Sequence, residues 1–318
     1  MDILISGSVA YDFLMTFPGL FKEQILPERL ASISLSFLVD SMSRQRGGIA
    51  PNIAYTIALL GGHPRLLATV GEDFADYRAW LESNGVDTTW TKVVPGEFTA
   101  TFFATTDQAN AQIATFYPGA MAHACELHIR DVNPRPDLVA ISPNDPNAMK
   151  LYAAECRELG IPYLYDPSQQ ILRLSGDEIA RDMEGAHFLF VNDYEFGLIS
   201  KKTGLDLQGM LKHVDIIIVT RGENGASIYA EGKEFNIPVV PPDHIADPTG
   251  VGDAFRSGFL IGYSQGWSWE LCGKIGALAA TYVLEQLGPQ NHHYTRKEFV
   301  DRFRQHFQDG GRLDELLK

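Results

Sequence analysis

A mostly parallel α/β sandwich of three layers, with a small β-flap beside it, is the fold this sequence predicts. Short β-rich runs recur along the chain, each continuously apolar rather than alternating, as suits strands covered by helices on both faces. Helical patterns fall between successive runs, which favours a sheet built from strand-helix-strand crossovers. Two stretches break this rhythm with polar/apolar alternation and no intervening helix.

In chain order, strands are expected at Ile3–Ser6, Arg65–Val70, Leu138–Ser142, Tyr163–Tyr165, Phe188–Val191 and Ile216–Thr220. Helices are expected at Asn52–Leu60, Tyr77–Asn84, Met149–Leu159, Asp253–Gln265 and Trp269–Leu287. Gly61, Gly85 and Gly160 stand where left-handed C-caps would close three of them. The alternating stretches, about 11–46 and 97–117, include Phe98-Thr99-Ala100-Thr101-Phe102-Phe103 and read as an antiparallel flap. No repeat, low-complexity tract or long linker interrupts the chain, so residues 1–318 are expected to form one domain with the flap segments inserted in it.

Composition narrows the function classes. Hydrophobic residues at 45% and charged residues at 21% are the balance of a folded globular chain, not a disordered one. The longest apolar stretches, such as Ile275 to Leu284, fall short of the roughly 20 residues a membrane crossing needs. The start, MDILISGSVA, lacks the basic and cleavable regions of a signal peptide, so a cytoplasmic location is expected. Cys125, Cys156 and Cys272 lie far apart with no Cys-x-x-Cys pairing and are expected to be core thiols. A net charge of −14 with no run of Lys/Arg argues against nucleic acid as a partner.

The most informative segment is Ala246-Asp247-Pro248-Thr249-Gly250-Val251-Gly252-Asp253-Ala254-Phe255-Arg256-Ser257-Gly258-Phe259. Two glycines around one small residue, followed at once by a helix, let backbone N–H groups converge at the positive end of the helix dipole. A carboxylate in the first turn would sit beside the anion held there. Asp253 is thus placed to take a proton from an attacking hydroxyl while the Gly250, Val251 and Gly252 N–H groups steady a transferring phosphoryl group. Taken alone, the same Asp could simply cap the helix.

This segment resembles the second signature of the ribokinase (PfkB) family of carbohydrate and nucleoside kinases, whose usual form is Asp-Thr-x-Gly-Ala-Gly-Asp-x-Phe. Here Pro248-Thr249 follows Asp247, and Val251 replaces the common Ala. The resemblance runs along essentially the whole chain and implies a ribokinase-like fold with the flap as a lid. Gly47-Gly48-Ile49-Ala50-Pro51-Asn52 looks like the first signature, a glycine turn opening a helix. It implies that Gly47 and Gly48 approach the sugar, that Asn52 bonds a ribose hydroxyl, and that Asp12 is a second sugar ligand.

Asn192-Asp193-Tyr194-Glu195 matches the family's Asn-x-x-Glu, which implies that Asn192 and Glu195 hold Mg²⁺ through its water shell. Thr220-Arg221-Gly222-Glu223-Asn224-Gly225 resembles the stretch beside the ATP phosphates and adenine, which makes Thr220, Arg221, Gly222 and Gly225, with Thr249, expected ATP contacts. Relatives also use K⁺ near the loop carrying Asp247, which makes Asp247 a candidate monovalent-cation ligand.

Details lean toward the nucleoside-kinase branch: Phe116-Tyr117-Pro118-Gly119-Ala120-Met121, the Arg256 segment, and the tail Gly288-Pro289-Gln290-Asn291-His292-His293 look like bacterial and archaeal adenosine or nucleoside kinases. Arg256 is therefore expected at the substrate. The flap is rich in aromatics, and a nucleobase offers a flat face to stack on, so Phe102 and Tyr117 are expected there too. The expected reaction is transfer of the ATP γ-phosphoryl group to the 5′-hydroxyl of adenosine or of a broader range of nucleosides. A kinase for free ribose or a ketohexose is the alternative; a silent nucleotide or sugar binder is a third. The chain carries no P-loop, Gly-x-Gly-x-x-Gly after a strand, Gly-x-Ser-x-Gly or His-Glu-x-x-His, and His292-His293 has no carboxylate cluster to make it a metal site. Nothing in the spacing chooses between a monomer with a moving lid and a homodimer joined through the flap.

Overall fold

The chain, described here by a computed structural model covering residues 1–318 with every side chain but that of Glu28, carries thirteen strands in two sheets. In order, β1 (Ile3–Ser6) and β2 (Ala10–Thr16) precede a short turn α1 (Phe21–Gln24) and β3 (Ser41–Gly47). Then come α2 (Ile49–Leu59), β4 (Arg65–Val70), α3 (Ala75–Ser83), β5 (Thr91–Val93), β6 (Ala100–Thr106) and β7 (Gln112–Tyr117). The middle of the chain adds β8 (Leu138–Ile141), α4 (Pro146–Leu159), β9 (Tyr163–Tyr165), α5 (Gly176–Met183), β10 (Ala186–Asn192), α6 (Asp193–Thr203) and α7 (Leu207–Met210). Last are β11 (Val214–Thr220), β12 (Ala226–Ala230), β13 (Lys233–Ile237), α8 (Val251–Ser264), α9 (Trp269–Leu284) and α10 (Arg296–His306).

The large sheet has the order β13-β12-β11-β10-β9-β8-β1-β4-β5, parallel from β5 through to β11 and closed at one end by the antiparallel pair β12 and β13. Its central strands are continuously apolar because both of their faces are covered. Ile3 and Ile5 of β1 pack into the core with α2, α8 and α9, whereas Leu4 packs into the core on the other face with α4 and α5. The same alternation splits Leu66 and Ala68 from Leu67 on β4.

The flap is a second sheet, β3-β2-β6-β7, formed by the two segments that broke the sequence rhythm. It is not wholly antiparallel as expected. β2–β3 and β6–β7 are antiparallel hairpins, but the central pair β2–β6 is parallel. Two hairpins inserted at separate points of the chain leave the main body in the same direction, so their first strands must run alongside one another.

Several helices begin earlier than the apolar pattern suggested. α2 starts at Ile49, so Pro51 lies in its first turn, where no N–H is missed; α4 starts at Pro146 behind the N-cap Asp145, whose side chain accepts from the N–H groups of Asn147 and Ala148. Cys156 and Cys272 are buried as expected, but Cys125 is exposed on a short 3₁₀ segment, which corrects its assignment to the core. Among the described residues, no helix is long and apolar enough to cross a membrane.

Candidate active site

A cavity of about 720 Å³ lies between the flap and the ends of the main-sheet strands. Ser8 follows β1, Pro143 follows β8, Ser168 to Gln170 follow β9 and Glu195 follows β10, so the cavity sits at the carboxyl edge of the parallel sheet, where open α/β folds place ligands. From the flap, Ala10, Asp12 and Leu14 face it at the two-residue period of β2, joined by Phe102 and Phe116, which pair across β6 and β7.

Gly48 shows why the first signature needs glycine. Its φ is +92°, and a Cβ there would come within 2.5–2.7 Å of backbone atoms of Ser8, Val9 and Ala10. Close approach of this turn to the strand after β1 lets α2 start at the cavity. Gly47, the last residue of β3, packs so tightly on Asp12 that a Cβ would lie 2.4 Å from its Oδ2. Burial, and secondarily repulsion from Asp247, pushes the Asp12 carboxyl up to about 6.

Gly250 caps α8 in the left-handed region at φ +80°, and a Cβ would meet that of Pro289 at 2.5 Å. The first i to i−4 bond of the helix is from Ala254 N–H to Gly250 O at 3.0 Å. The N–H groups of Gly252 and Asp253 therefore have no partner within the helix, and Val251 N–H makes only a 3.4 Å contact with Pro248 O. Asp247 braces this loop: Oδ1 accepts from Thr249 N–H at 2.9 Å and Oδ2 from Gly288 N–H at 3.0 Å. Asp247, Thr249, Gly250 and Asp253 all line the cavity.

Asp253 is buried, 8% exposed, so its carboxylate is not a solvated cap. Oδ2 accepts from Asn52 Nδ2 at 2.9 Å, while Oδ1 lies 3.5 Å from Arg256 Nη1. Burial pushes this carboxyl up to about 6; Arg256 and the Asn52 bond oppose the rise, and Asp166 and Glu195 add to it. A raised carboxyl is protonated below its pKa and useless as a base there. We expect kcat/KM to fall as pH drops through about 6, more steeply than a single ionisation gives because Asp12 titrates in the same range. A pH–rate profile that stays flat through this range would contradict the assignment of both carboxyls.

Arg256 lies behind Asp253 and does not line the cavity, contrary to its expected place at the substrate. Its Nε is 2.8 Å from Oδ2 of the fully buried Asp166, at an angle that makes an ion pair rather than an aligned hydrogen bond, and Nη2 donates to Ser168 Oγ at 3.4 Å. Helical spacing of three turns both Asp253 and Arg256 to one face, so the guanidinium is drawn inward to two carboxylates.

Tyr117 is likewise outside the cavity lining: its hydroxyl donates to Glu97 Oε2 at 2.8 Å, and the pleat gives the inward position to Phe116. Asn192 and Glu195 form a capping box at the start of α6, with Glu195 N–H on Asn192 Oδ1 at 2.7 Å and Asn192 N–H on Glu195 Oε2 at 2.8 Å. Glu195 lines the cavity and Asn192 does not; burial raises the Glu195 carboxyl. Thr220 pairs in register with Asn192 at the same sheet edge. Arg221 turns away to Ser227 and to Tyr229, whose hydroxyl accepts from Nη2 at 2.9 Å; it, Gly222 and Gly225 do not border the cavity.

Sequence reasoning missed Asp166, Ser168, Gln45 and Gln290. Gln290 donates from Nε2 to Asn52 Oδ1 and to Tyr77 Oη, both at 2.6 Å, and Gln45 Oε1 accepts from Asn291 Nδ2 at 3.1 Å. Only the Gly-Pro-Gln-Asn tail hinted at the first of these contacts. Among the described residues no cluster of three or more His, Cys, Asp or Glu side chains is arranged to bind a metal directly.

The model of the pfkB family carbohydrate kinases matches residues 10–296. The chain is 32% identical over 302 residues to a nucleoside kinase of Methanocaldococcus jannaschii, covering 94% of this chain and 96% of that protein. It is 28% identical over 306 residues to a nucleoside kinase of Methanothermobacter thermautotrophicus, covering 95% of each. Among solved structures, Burkholderia thailandensis nucleoside kinase in complex with inosine superposes with a TM-score of 0.87 at 36% identity, over 96% of this chain and 97% of that one. The same enzyme in complex with ADP-inosine gives 0.84 at 38% identity, over 96% of each chain. With a cavity at the carboxyl edge of the sheet, a buried carboxylate at an open helix N-terminus and a family match spanning nearly its whole length, the chain belongs to the pfkB family of carbohydrate kinases.

Proposed function

We propose that the protein transfers the γ-phosphoryl group of ATP to the 5′-hydroxyl of a nucleoside, releasing ADP and a nucleoside monophosphate. The observation that carries this reading is the placement of Asp253 in the first turn of α8, on a cavity roofed by a flap with two aromatic side chains. The nucleoside kinases similar in sequence, and the inosine and ADP-inosine complexes of a structural neighbour, support the substrate class.

Each residue then has a definite task. Asn52 occupies Oδ2 of Asp253, leaving Oδ1, which has only the 3.5 Å contact with Arg256 Nη1, to take the proton of the 5′-hydroxyl. As that O–H bond breaks, an O–P bond forms to the γ-phosphorus and the bond to ADP breaks, with the electron pair leaving on ADP. The N–H groups at the start of α8 face the charge on the transferring group, pre-oriented by Gly250 and by the Asp247 brace. Asp12 accepts from ribose hydroxyls beside the Gly47-Gly48 turn, and the second N–H of Asn52 Nδ2 is left to donate to a ribose hydroxyl oxygen. Phe102 and Phe116 offer faces on which a base stacks. The flap excludes water, which suppresses ATP hydrolysis.

Asp166 and Asp253 share the Arg256 guanidinium with Glu195 nearby, so three acidic side chains face one cation on the side expected to meet ATP. With Oε2 of Glu195 committed to the capping box, Oε1 fits contact with a Mg²⁺ through water, as an ion that keeps much of its hydration requires. Bound with ATP, Mg²⁺ would neutralise phosphate charge. Asp247 is the candidate ligand for a monovalent cation such as K⁺. A cytoplasmic site of action belongs to this reading, because ATP is supplied there.

ADP release with Mg·ATP against adenosine, inosine, guanosine, cytidine, ribose and fructose, with and without K⁺, tests the proposal. One or more nucleosides should be turned over in preference to both free sugars. Turnover of a free sugar alone would overturn the nucleoside assignment, and no turnover of any acceptor would favour a silent binder.

A further inference from the structure

The catalytic carboxylate is held by a chain of hydrogen bonds whose direction is set at its far end. The carbonyl of Gly47, at the root of the flap, can only accept, so the Tyr77 hydroxyl donates to it at 3.0 Å. The Tyr77 oxygen must then accept, and it does so from Gln290 Nε2 at 2.6 Å. With its nitrogen on this side, Gln290 presents its other N–H to Asn52 Oδ1 at 2.6 Å, which turns Asn52 Nδ2 toward Asp253 Oδ2 at 2.9 Å. Tyr77, Asn52, Gln290 and Asp253 are all buried. Gln290 keeps this orientation although its Oε1 finds no partner among the described residues, so the two bonds from Nε2 decide it.

From this geometry we infer that Gln290 is a positioning residue for phosphoryl transfer: it locks the Asn52 amide so that nitrogen, not oxygen, faces the Asp253 carboxylate. The inference rests on Asp253 being the catalytic base. Were the Asn52 amide to rotate, its oxygen would face Asp253, a contact that repels an ionised carboxylate and favours a protonated one, which cannot act as a base. The chain also begins at Gly47, whose neighbour Gly48 opens α2, so the flap root and the base are referenced to one rigid line of contacts.

The other charged groups facing Asp253 are Arg256 on its own helix, Asp166 at the end of β9 and Glu195 on α6, and none of them touches Gln290 by a hydrogen bond or ion pair. A change at position 290 therefore reaches Asp253 through Asn52.

Gln290→Met, which keeps the length of the side chain but removes its donor, tests this in the full-length protein. We expect kcat to fall roughly 10- to 100-fold, the scale of loss that accompanies small misplacement of a reacting group, with KM for ATP unchanged. The acid limb of the kcat profile should move to higher pH, since Asp253 loses a donor that favours its ionised form. Tyr77→Phe, which leaves the ring in the core and removes only the anchor, should shift both in the same direction by less. A lower kcat that merely tracks the folded fraction, with an unmoved pH profile, would overturn the inference, as would unchanged kinetics in both variants.

Hydrogen exchange of the Asn52 side-chain amide, followed by NMR, separates this inference from the functional proposal. Strong protection in the wild-type chain and its loss in Gln290→Met support the locking role even if no nucleoside is phosphorylated. Equal protection in both would sink the locking role while leaving the kinase assignment standing.

Discussion

Asp253→Asn is expected to fold like the wild-type chain and to lose about 100- to 10,000-fold in kcat, the range a positioned general base contributes. The substitution is isosteric, and its Oδ1 can still accept from Asn52 Nδ2, so the core around α8 has no reason to shift. What disappears is the oxygen that takes the proton of the attacking hydroxyl. The N–H groups at the start of α8 proposed to face the transferring phosphoryl group are backbone and survive, so ATP should bind with little change while turnover collapses. ADP release and a thermal melt measure the two halves of this expectation. Near-wild-type turnover would remove Asp253 from the mechanism.

Arg256→Met is expected to destabilise the fold by about 3–5 kcal/mol, the usual cost of removing one partner of a buried ion pair. Asp166 is fully buried and Asp253 nearly so, and the guanidinium that lies against both is itself only 8% exposed. Taking it away leaves two carboxylates, with Glu195 nearby, and no compensating charge. The same loss acts on catalysis. Arg256 holds the Asp253 pKa down against burial, so its removal raises that pKa and moves the acid limb of the pH profile upward. Denaturant unfolding with a parallel pH–rate profile checks both effects. If stability stayed within about 1 kcal/mol of wild type, as for an ordinary surface change, while KM for the nucleoside rose, Arg256 would return to the role of substrate contact that the sequence suggested.

The two cases show why a motif can be read while its wiring cannot. Glycines around Val251, followed by an acidic residue near a helix start, define a local geometry: a few consecutive backbone angles decide where the N–H groups point, and α8 starts at Val251, two residues before the expected Asp253. The central strands were legible for a comparable reason. A strand buried on both faces favours apolar residues at successive positions, and β8, Ile3–Ile5 of β1, Leu66–Ala68 of β4 and Ile216–Val219 of β11 carry such runs. Helices of mixed polarity were harder to see. α5 and α10 begin with capping boxes at Ser175–Glu178 and Thr295–Glu298, signals present in the sequence but not used, and the β12–β13 pair has one strand too polar to stand out.

What the sequence by itself determined was the α/β class, the place of the flap in the chain, the family, and the position of Asp253 at a glycine-flanked helix start. Only the tertiary structure decided that the flap's central strands run parallel, that Phe116 rather than Tyr117 faces the cavity, that Arg256 serves Asp166 and Asp253 from behind, and that Gln290 governs Asn52. The physical reason is distance along the chain: Asn52 meets Asp253 across 201 residues and Gln290 across 238, and local propensity carries no record of such contacts.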